Sequence, residues 1–312
     1  MNGFVVNKYI VTLVLLAAGY YFFAMKKNMP PAPLAQKPAS RARIVEQKRG
    51  SKNPTIEVSP GPTVAVAVAA QMPHTLQATH EAGPKDHGKK PLVLPYVLDG
   101  ELAVVQGDIV VGAIVKEDTP PQGRANVPEL RLWPSGVIPY YIQPNFSSPD
   151  RVKAAFAYFS ETNIQFVPFT DQEDALIFEE GTGVCKSYVG RMGGKQPIFL
   201  PALCGPHEIA HEILHALGFI HEQNRDDRDG FIQVNFDNID DKYRDNFEKL
   251  PPDFMKVSGL SSFDFESLMI YPPAMFAKGS QPTMQPLDKY KPIRPGHGLS
   301  RGDVERVNRA YP

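Results

Sequence analysis

A run of histidines constrains this chain more than anything else in it. Residues 204–230 read CGPHEIAHEILHALGFIHEQNRDDRDG, and four of the eight histidines lie between His207 and His221. The pattern H-E-x-x-H occurs there twice, from His207 through Glu208 to His211 and from His211 through Glu212 to His215. Pro206 suits the first turn of a helix, where a missing N–H costs nothing. On that helix His207, His211 and His215 are successive i, i+4 positions and share a face. One ion can be gripped by only one such pair, because ligand distances of about 2.0–2.1 Å cannot bridge two turns, roughly 11 Å.

The third ligand decides between the frames. Counting from His211 gives H-E-x-x-H-x-x-G-x-x-H, with His215, Gly218 and His221 in place. Gly218 can adopt a left-handed conformation, end the helix and turn the chain back beneath the ion. His221 then completes three nitrogens around a tetrahedral zinc and leaves a fourth position open. Counting from His207 puts Leu214 and Leu217 at the glycine and third-histidine positions. The forward frame therefore holds the site. His207 is expected to be a bystander in the first turn, where Glu208 complements the helix dipole.

The rest of the chain divides by texture. A hydrophobic fraction of 42% over 312 residues suffices for one substantial core or two modest ones. A net charge of −1 gives no reason to expect nucleic acid as a partner. Residues 1–27 carry an apolar run, Tyr9–Met25, that reads as a signal peptide or a short membrane anchor. Either reading implies export, with membrane attachment through residues 9–25 in the second case. Lys26 and Lys27 lie on the wrong side for a simple positive-inside anchor. Residues 28–91 are rich in proline, alanine and small polar groups and read as a disordered linker.

From Leu92 the sequence LVLPYVLDGELAVVQGDIVVGAIV alternates strand-like runs with turns at Asp99-Gly100 and Gly107-Asp108. The stretch TPPQGRANVPE (119–129) reads as turn-rich and exposed. Short strands are expected at 136–142, 163–169, 175–180 and 197–201. A helix should follow Ser148-Pro149, and a last one the capping-box-like Ser300 and Asp303. Cys185 and Cys204 can form at most one bridge.

The eleven-residue motif, its continuation HEQNRDDRDGF, the downstream FDFESLMIYPP, the upstream RLWPSGVIPYYI and GVCKSYVGRMGG, and the closing LSRGDVERVNRAY together resemble the astacin family of metzincin zinc endopeptidases. The resemblance covers about residues 130–312. It implies an α+β, two-lobed catalytic domain: a twisted mixed sheet with the zinc helix above an irregular C-terminal lobe. With it come one Zn2+ per chain, a protein or peptide substrate and a monomeric catalytic domain over residues 125–312. Carried over by position, His211, His215 and His221 are the metal ligands and Glu212 is the catalytic carboxylate. Tyr271 stabilises the oxyanion, Met269 forms the Met-turn floor, and Glu222 makes a buried pair with a freed N-terminus or a substitute. Cys185 and Cys204 match one family disulfide, with two free buried thiols as the plainer reading. A second family bridge is absent, since Asn163 stands at its first cysteine position and the sequence ends at Pro312.

Residues 92–124 resemble a propeptide, which would make the chain a zymogen. The family's F-x-G-D switch is matched by Gly107 and Asp108 with Val105 at the phenylalanine position, so Asp108 is a candidate latency switch. A carboxylate there would take the place of the attacking water, and Arg124 is a plausible activation site. The expected chemistry is peptide hydrolysis, with Glu212 moving the proton of an attacking water to the leaving amine. The rival reading is a membrane-tethered, non-catalytic binding or scaffold module with a retained metal site.

Overall fold

The β-branched and aromatic runs expected as strands build one large sheet. The structure, a computed structural model, describes residues 92–113, 122–127 and 129–312. The signal or anchor reading of residues 1–27, the linker reading of 28–91 and residues 114–121 lie outside the described residues. Among the described residues, nine strands join in the order β4-β1-β2-β3-β8-β9-β7-β5-β6. They are β1 Val93–Asp99, β2 Leu102–Val105, β3 Ile109–Ala113, β4 Gln122–Asn126, β5 Val137–Ile142, β6 Gln165–Pro168, β7 Ala175–Glu180, β8 Lys186–Ser187 and β9 Lys195–Leu200.

The sheet has two characters. Strands β5, β6, β7 and β9 run parallel, and β7 is buried on both faces from Ala175 to Phe178, as expected of a covered parallel strand. The N-terminal strands form an antiparallel meander. The two parts meet at β8, which pairs antiparallel with β9 and parallel with β3 through Ile109 and Ser187. Without residues 92–126, β8 would be a sheet edge.

Two helices pack together against the sheet: α1 (Pro149–Phe156) and α2 (Pro206–Ala216). Their apolar faces join the strands in the main core, with Val152, Phe159, Phe178, Ile198, Ile209, Ile213 and Val307 among its members. Ser148 stands at the N-cap of α1, but its side chain makes no capping bond. The closing helix α3 (Arg301–Ala310) has the expected box, Ser300 Oγ accepting from the Asp303 amide at 2.9 Å. Between α2 and α3 the chain is mostly 3-10 turns and one small ribbon, β10 (Ile232–Val234) with β11 (Met284–Pro286).

Two expectations needed correction or completion. The stretch 119–129 is not simply an exposed turn, because Gln122–Asn126 forms β4 against β1, with Arg124 opposite Pro95. No apolar alternation announces that strand; backbone pairing to β1 holds it, and Arg124 Nη2 donates to Val93 O at 2.9 Å. Asn163, at the missing cysteine position, donates through Nδ2 to Tyr311 O at 2.9 Å, while Asn308 Oδ1 accepts from its amide at 2.7 Å. Hydrogen bonds thus tie the chain end to this segment where a covalent bridge was expected to be lost.

Candidate metal centre

Helix α2 is fixed at both ends. At its start, Glu208 Oε2 accepts from the Gly205 amide at 3.0 Å. At its end Gly218 has φ +102°, and the amides of Gly218 and Phe219 return to His215 O and Leu214 O at 2.8 and 3.0 Å. That is a Schellman turn, which a glycine makes without strain. The remaining helix carbonyls, which α2 itself cannot satisfy, find distant partners. Trp133 Nε1 donates to Ala216 O at 2.9 Å and Tyr311 Oη to Leu217 O at 2.7 Å, while His215 O accepts a second bond from the Gly190 amide at 2.8 Å.

This turn brings His221 back against the helix. The Nε2 atoms of His211 and His221 lie 3.2 Å apart, and one ligand atom each from Asp108, His211, His215 and His221 falls within 4.8 Å of all the others. Nδ1 of His211 donates to Leu268 O at 3.0 Å and Nδ1 of His215 to Phe219 O at 2.8 Å. Those bonds leave the Nε2 lone pairs turned inward, the tautomer a metal needs. Burial lowers the pKa of His215 to about 4, which also favours the neutral ligand form. Two of the orphaned buried atoms, His215 Nε2 and Asp108 Oδ1, are ones a cation between them would satisfy. Three imidazoles with a carboxylate fit zinc.

Asp108 reaches into the centre from the turn between β2 and β3. Its oxygens lie 3.5, 3.4 and 3.2 Å from Nε2 of His211, His215 and His221. Burial opposes its charge, but the imidazoles outweigh burial and hold its carboxyl well below the usual range. Glu212 is buried beside the histidines, and its Oε2 has no hydrogen-bond partner. Burial first, then the Asp108 charge, push Glu212 well above the usual carboxylate range, and Lys186 opposes the push. Tyr271, its ring centroid 4.7 Å from that of His221, donates its hydroxyl to Gln106 O at 2.6 Å. Met269 is buried in the main core, and its carbonyl accepts from the Glu222 amide at 2.9 Å.

His207 stands apart from this cluster in the first turn of α2, near His297, with its pKa lowered by burial. Glu222 is fully buried against two guanidinium groups, that of Arg306 in direct contact and Arg225 Nη1 at 3.3 Å. Among the described residues, these two guanidinium groups are its charged partners. Arg225 also grips Asp227 through two bonds of 2.9 Å, and Arg228 reaches the carbonyls of Gln223 and Phe247. Asp303 accepts from Ser267 Oγ at 2.6 Å and from the Leu268 amide at 2.8 Å, so α3 anchors the segment that carries Met269. Cys185 and Cys204 are joined by a disulfide with Cα atoms 6.0 Å apart.

Sequence reasoning missed Arg306, Gln106, Lys186 and Asp99. Arg306 lies one turn after the capping Asp303, which is the only signal that pointed near it. Gln106 acts through its backbone, and backbone roles leave no residue signature. Lys186 and Asp99 are single charges in unremarkable contexts.

The geometry defines a three-histidine metal centre with a buried carboxylate beside it on the same helix. Residues 125–312 match the model of the astacin peptidase family, and the chain belongs to that family. Zinc metalloproteinase nas-14 of Caenorhabditis elegans is 37% identical over 188 residues, 58% of this chain and 37% of that protein. Tolloid-like protein 2 of Homo sapiens is 36% identical over 192 residues, 58% of this chain and 19% of that protein. The match thus spans well under two thirds of these relatives. Among solved structures, High choriolytic enzyme 1, a hatching enzyme zinc-protease from Oryzias latipes, superposes with TM-score 0.52 at 30% identity, covering 58% of this chain and 93% of that one. The α+β, astacin-like metzincin fold holds, and zinc is the metal of the family.

Proposed function

We propose that residues 125–312 are a zinc endopeptidase and that residues 92–124 keep it latent. The observation that carries this reading is the convergence of three Nε2 atoms on one point beside a buried, unpartnered Glu212. His211, His215 and His221 would hold the zinc, which when bound supplies a Lewis acid that polarises the scissile carbonyl and acidifies water. Glu212 takes the proton of the attacking water, a role suited to a carboxylate whose affinity for protons is raised by burial. It then delivers that proton to the leaving amine. The Tyr271 hydroxyl donates to the carbonyl oxygen as negative charge gathers there. Met269, buried in the main core, would form the Met-turn floor, and the Glu222–Arg306–Arg225 cluster holds the loop after His221.

Latency follows from what the N-terminal segment occupies. Asp108 stands among the three imidazoles, and Gln106 O holds the Tyr271 hydroxyl. Substrate cannot use either group while the segment is seated. Cleavage within 119–129, for which Arg124 is a candidate, would begin release. We further propose export directed by residues 1–27, in keeping with a disulfide that forms in oxidising compartments.

The test is a casein-type digestion with zinc measured in the same samples, before and after processing of the full chain. Processed wild type should digest, while Glu212→Gln should retain about one zinc per chain and lose cleavage. Tyr271→Phe should lower turnover with zinc content intact. Proteolysis that survives Glu212→Gln would sink the mechanism. Zinc without proteolysis in processed wild type would favour the binding or scaffold module.

A further inference from the structure

Strand β11 runs into a turn that the metal centre does not use. Residues 287–292, Leu-Asp-Lys-Tyr-Lys-Pro, are all exposed, yet the chain is held on both sides of them. The Leu287 amide donates to Phe231 O at 2.8 Å and the Arg294 amide to Phe265 O at 2.9 Å. Ile293 is buried in one cluster with Ile232, Ile270 and Met284. Within the turn, Asp288 O accepts from the Lys291 amide at 2.9 Å, and Asp288 Oδ1 accepts from the Tyr290 amide at 3.0 Å. An aspartate that closes its own turn in this way fixes the backbone without help from the core. The turn is thus a braced tip that protrudes from the ribbon of β10 and β11.

What the tip displays is two apolar side chains among unpaired cations. Tyr290 is 81% exposed and Leu287 55%. Single exposed apolar groups are ordinary, but these two share one turn with Lys289 and Lys291, and Arg294 follows at its base. Among the described residues none of these three cations makes an ion pair. Lys289 Nζ lies 5.0 Å from the Tyr290 ring centre, a cation–π contact that keeps the ammonium beside the ring. The one acid of the turn, Asp288, turns an oxygen back onto the backbone. The whole chain carries a net charge of −1, so the tip is a local concentration of positive charge and not a sample of the average surface.

We infer that the 287–292 turn docks on an anionic lipid surface, with Tyr290 and Leu287 entering the headgroup layer and Lys289, Lys291 and Arg294 facing its negative charges. A tyrosine joins an apolar ring to a polar tip, the combination that favours a membrane interface. Lysine stems lie along apolar surface while their ammonium groups stay in the wet layer. Each basic group near an anionic leaflet strengthens partitioning about fivefold. The shape of the tip favours the same occupant. A protein partner of ordinary size needs roughly 20–30 contacting residues a side, whereas a fluid lipid surface closes around a protrusion of six. Docking there brings the folded domain itself to a membrane, independently of residues 9–25.

The experiment uses the full chain and vesicles of phosphatidylcholine, alone or with about 30% phosphatidylserine. Tyr290→Trp gives the direct reading at the tip. Trp133, the one native tryptophan, is 4% exposed, so a blue shift on adding vesicles reports position 290 even if residues 9–25 also attach. The shift should appear with the phosphatidylserine vesicles, be absent with phosphatidylcholine alone, and fade as salt is added. Adding Lys289→Gln and Lys291→Gln to that variant should raise the lipid concentration for half the shift about thirtyfold, while arginine at both positions should keep it. Sedimentation with the same vesicles should show Tyr290→Ser bound more weakly than wild type. All these changes fall on exposed side chains, and an unchanged urea midpoint verifies that each variant folds. No shift on anionic vesicles, an equal shift on both kinds, or a shift indifferent to the two lysines overturns the proposal. Binding to polyglutamate that needs the lysines, with no shift on vesicles, assigns the turn to an acidic protein and also overturns it.

Discussion

Replacing Arg306 with Met should destabilise the protein more than any other surface-distant change outside the metal centre. Glu222 is fully buried, and Arg306, 1% exposed, is its contact partner. Removing one member of a buried ion pair typically costs about 3–5 kcal/mol, because the other charge is left without solvent or counter-charge. Here Arg225 Nη1 and the Asp264 amide remain at 3.3 Å from Glu222 Oε2 and soften the loss. Arg306 also donates to Asp303 at 2.7 Å and Ser267 Oγ at 3.2 Å, and those bonds disappear with it. The net expectation is about 3 kcal/mol. With an m-value of about 2–3 kcal/mol per molar urea, the midpoint should fall by roughly 1–1.5 M. The assay is urea unfolding at fixed free zinc, since zinc binding itself stabilises the folded state. Glu222→Gln combined with Arg306→Met should recover much of the loss by neutralising the stranded carboxylate. A midpoint shift below about 0.3 M, or a double variant less stable than Arg306→Met alone, would refute the reasoning.

Other perturbations test other joints. Gly218→Ala should cost about 1–3 kcal/mol, since a side chain at φ +102° is strained and its Cβ would lie 2.9 Å from Leu132 Cδ2; because His221 follows that turn, zinc content after dialysis should fall as well. Changing Cys185 and Cys204 together to Ser should cost about 3 kcal/mol, from a loop with a sequence separation of 19, read by the urea midpoint with and without the bridge. Asn163→Ala removes the bond to Tyr311 O and should cost about 0.5–1.5 kcal/mol, with faster amide exchange at the end of α3.

The sequence made the metal helix legible because its signals are local. Pro206, the i, i+4 histidines and Gly218 lie within four turns and follow helix periodicity and capping. Strands β5, β7 and β9 were legible from apolar runs, and α3 from its capping box. The histidine frame that the structure brings together was legible for the same reason, since it depends only on which glycine can end the helix before another histidine. What stayed hidden are pairs that only the tertiary fold brings together. Asp99 meets Lys186 across 87 positions and Tyr271 meets Gln106 across 165, and no window of periodicity spans those distances. Strand β4 escaped because its order comes from pairing with β1 rather than from its composition. Glu222 was expected to seek a freed N-terminus or a substitute, and its contact with Arg306 depends on how α3 packs, which no motif encodes.

Those hidden pairs make the hold of the N-terminal segment composite, and that sets what one substitution can release. The segment joins β8 through a single strand-register pair and the Ser187 to Asp108 backbone bond. One such bond contributes only about 0.5–1.5 kcal/mol. Most of the seating comes from apolar packing, in which Leu94, Val105 and Ile109 lie against Ile220, Leu250 and Phe254. Asp108→Ala removes the carboxylate from the histidines but leaves that packing, the Asp99–Lys186 pair and the Gln106 bond to Tyr271 in place. The unprocessed Asp108→Ala chain should therefore hydrolyse a short peptide faster than unprocessed wild type and slower than processed enzyme. If Asp108 alone imposed latency, the variant would match processed enzyme. If it imposed none, the variant would match the unprocessed wild type. An intermediate rate, rising to the processed value once residues 92–124 are removed, is the outcome that a composite block requires.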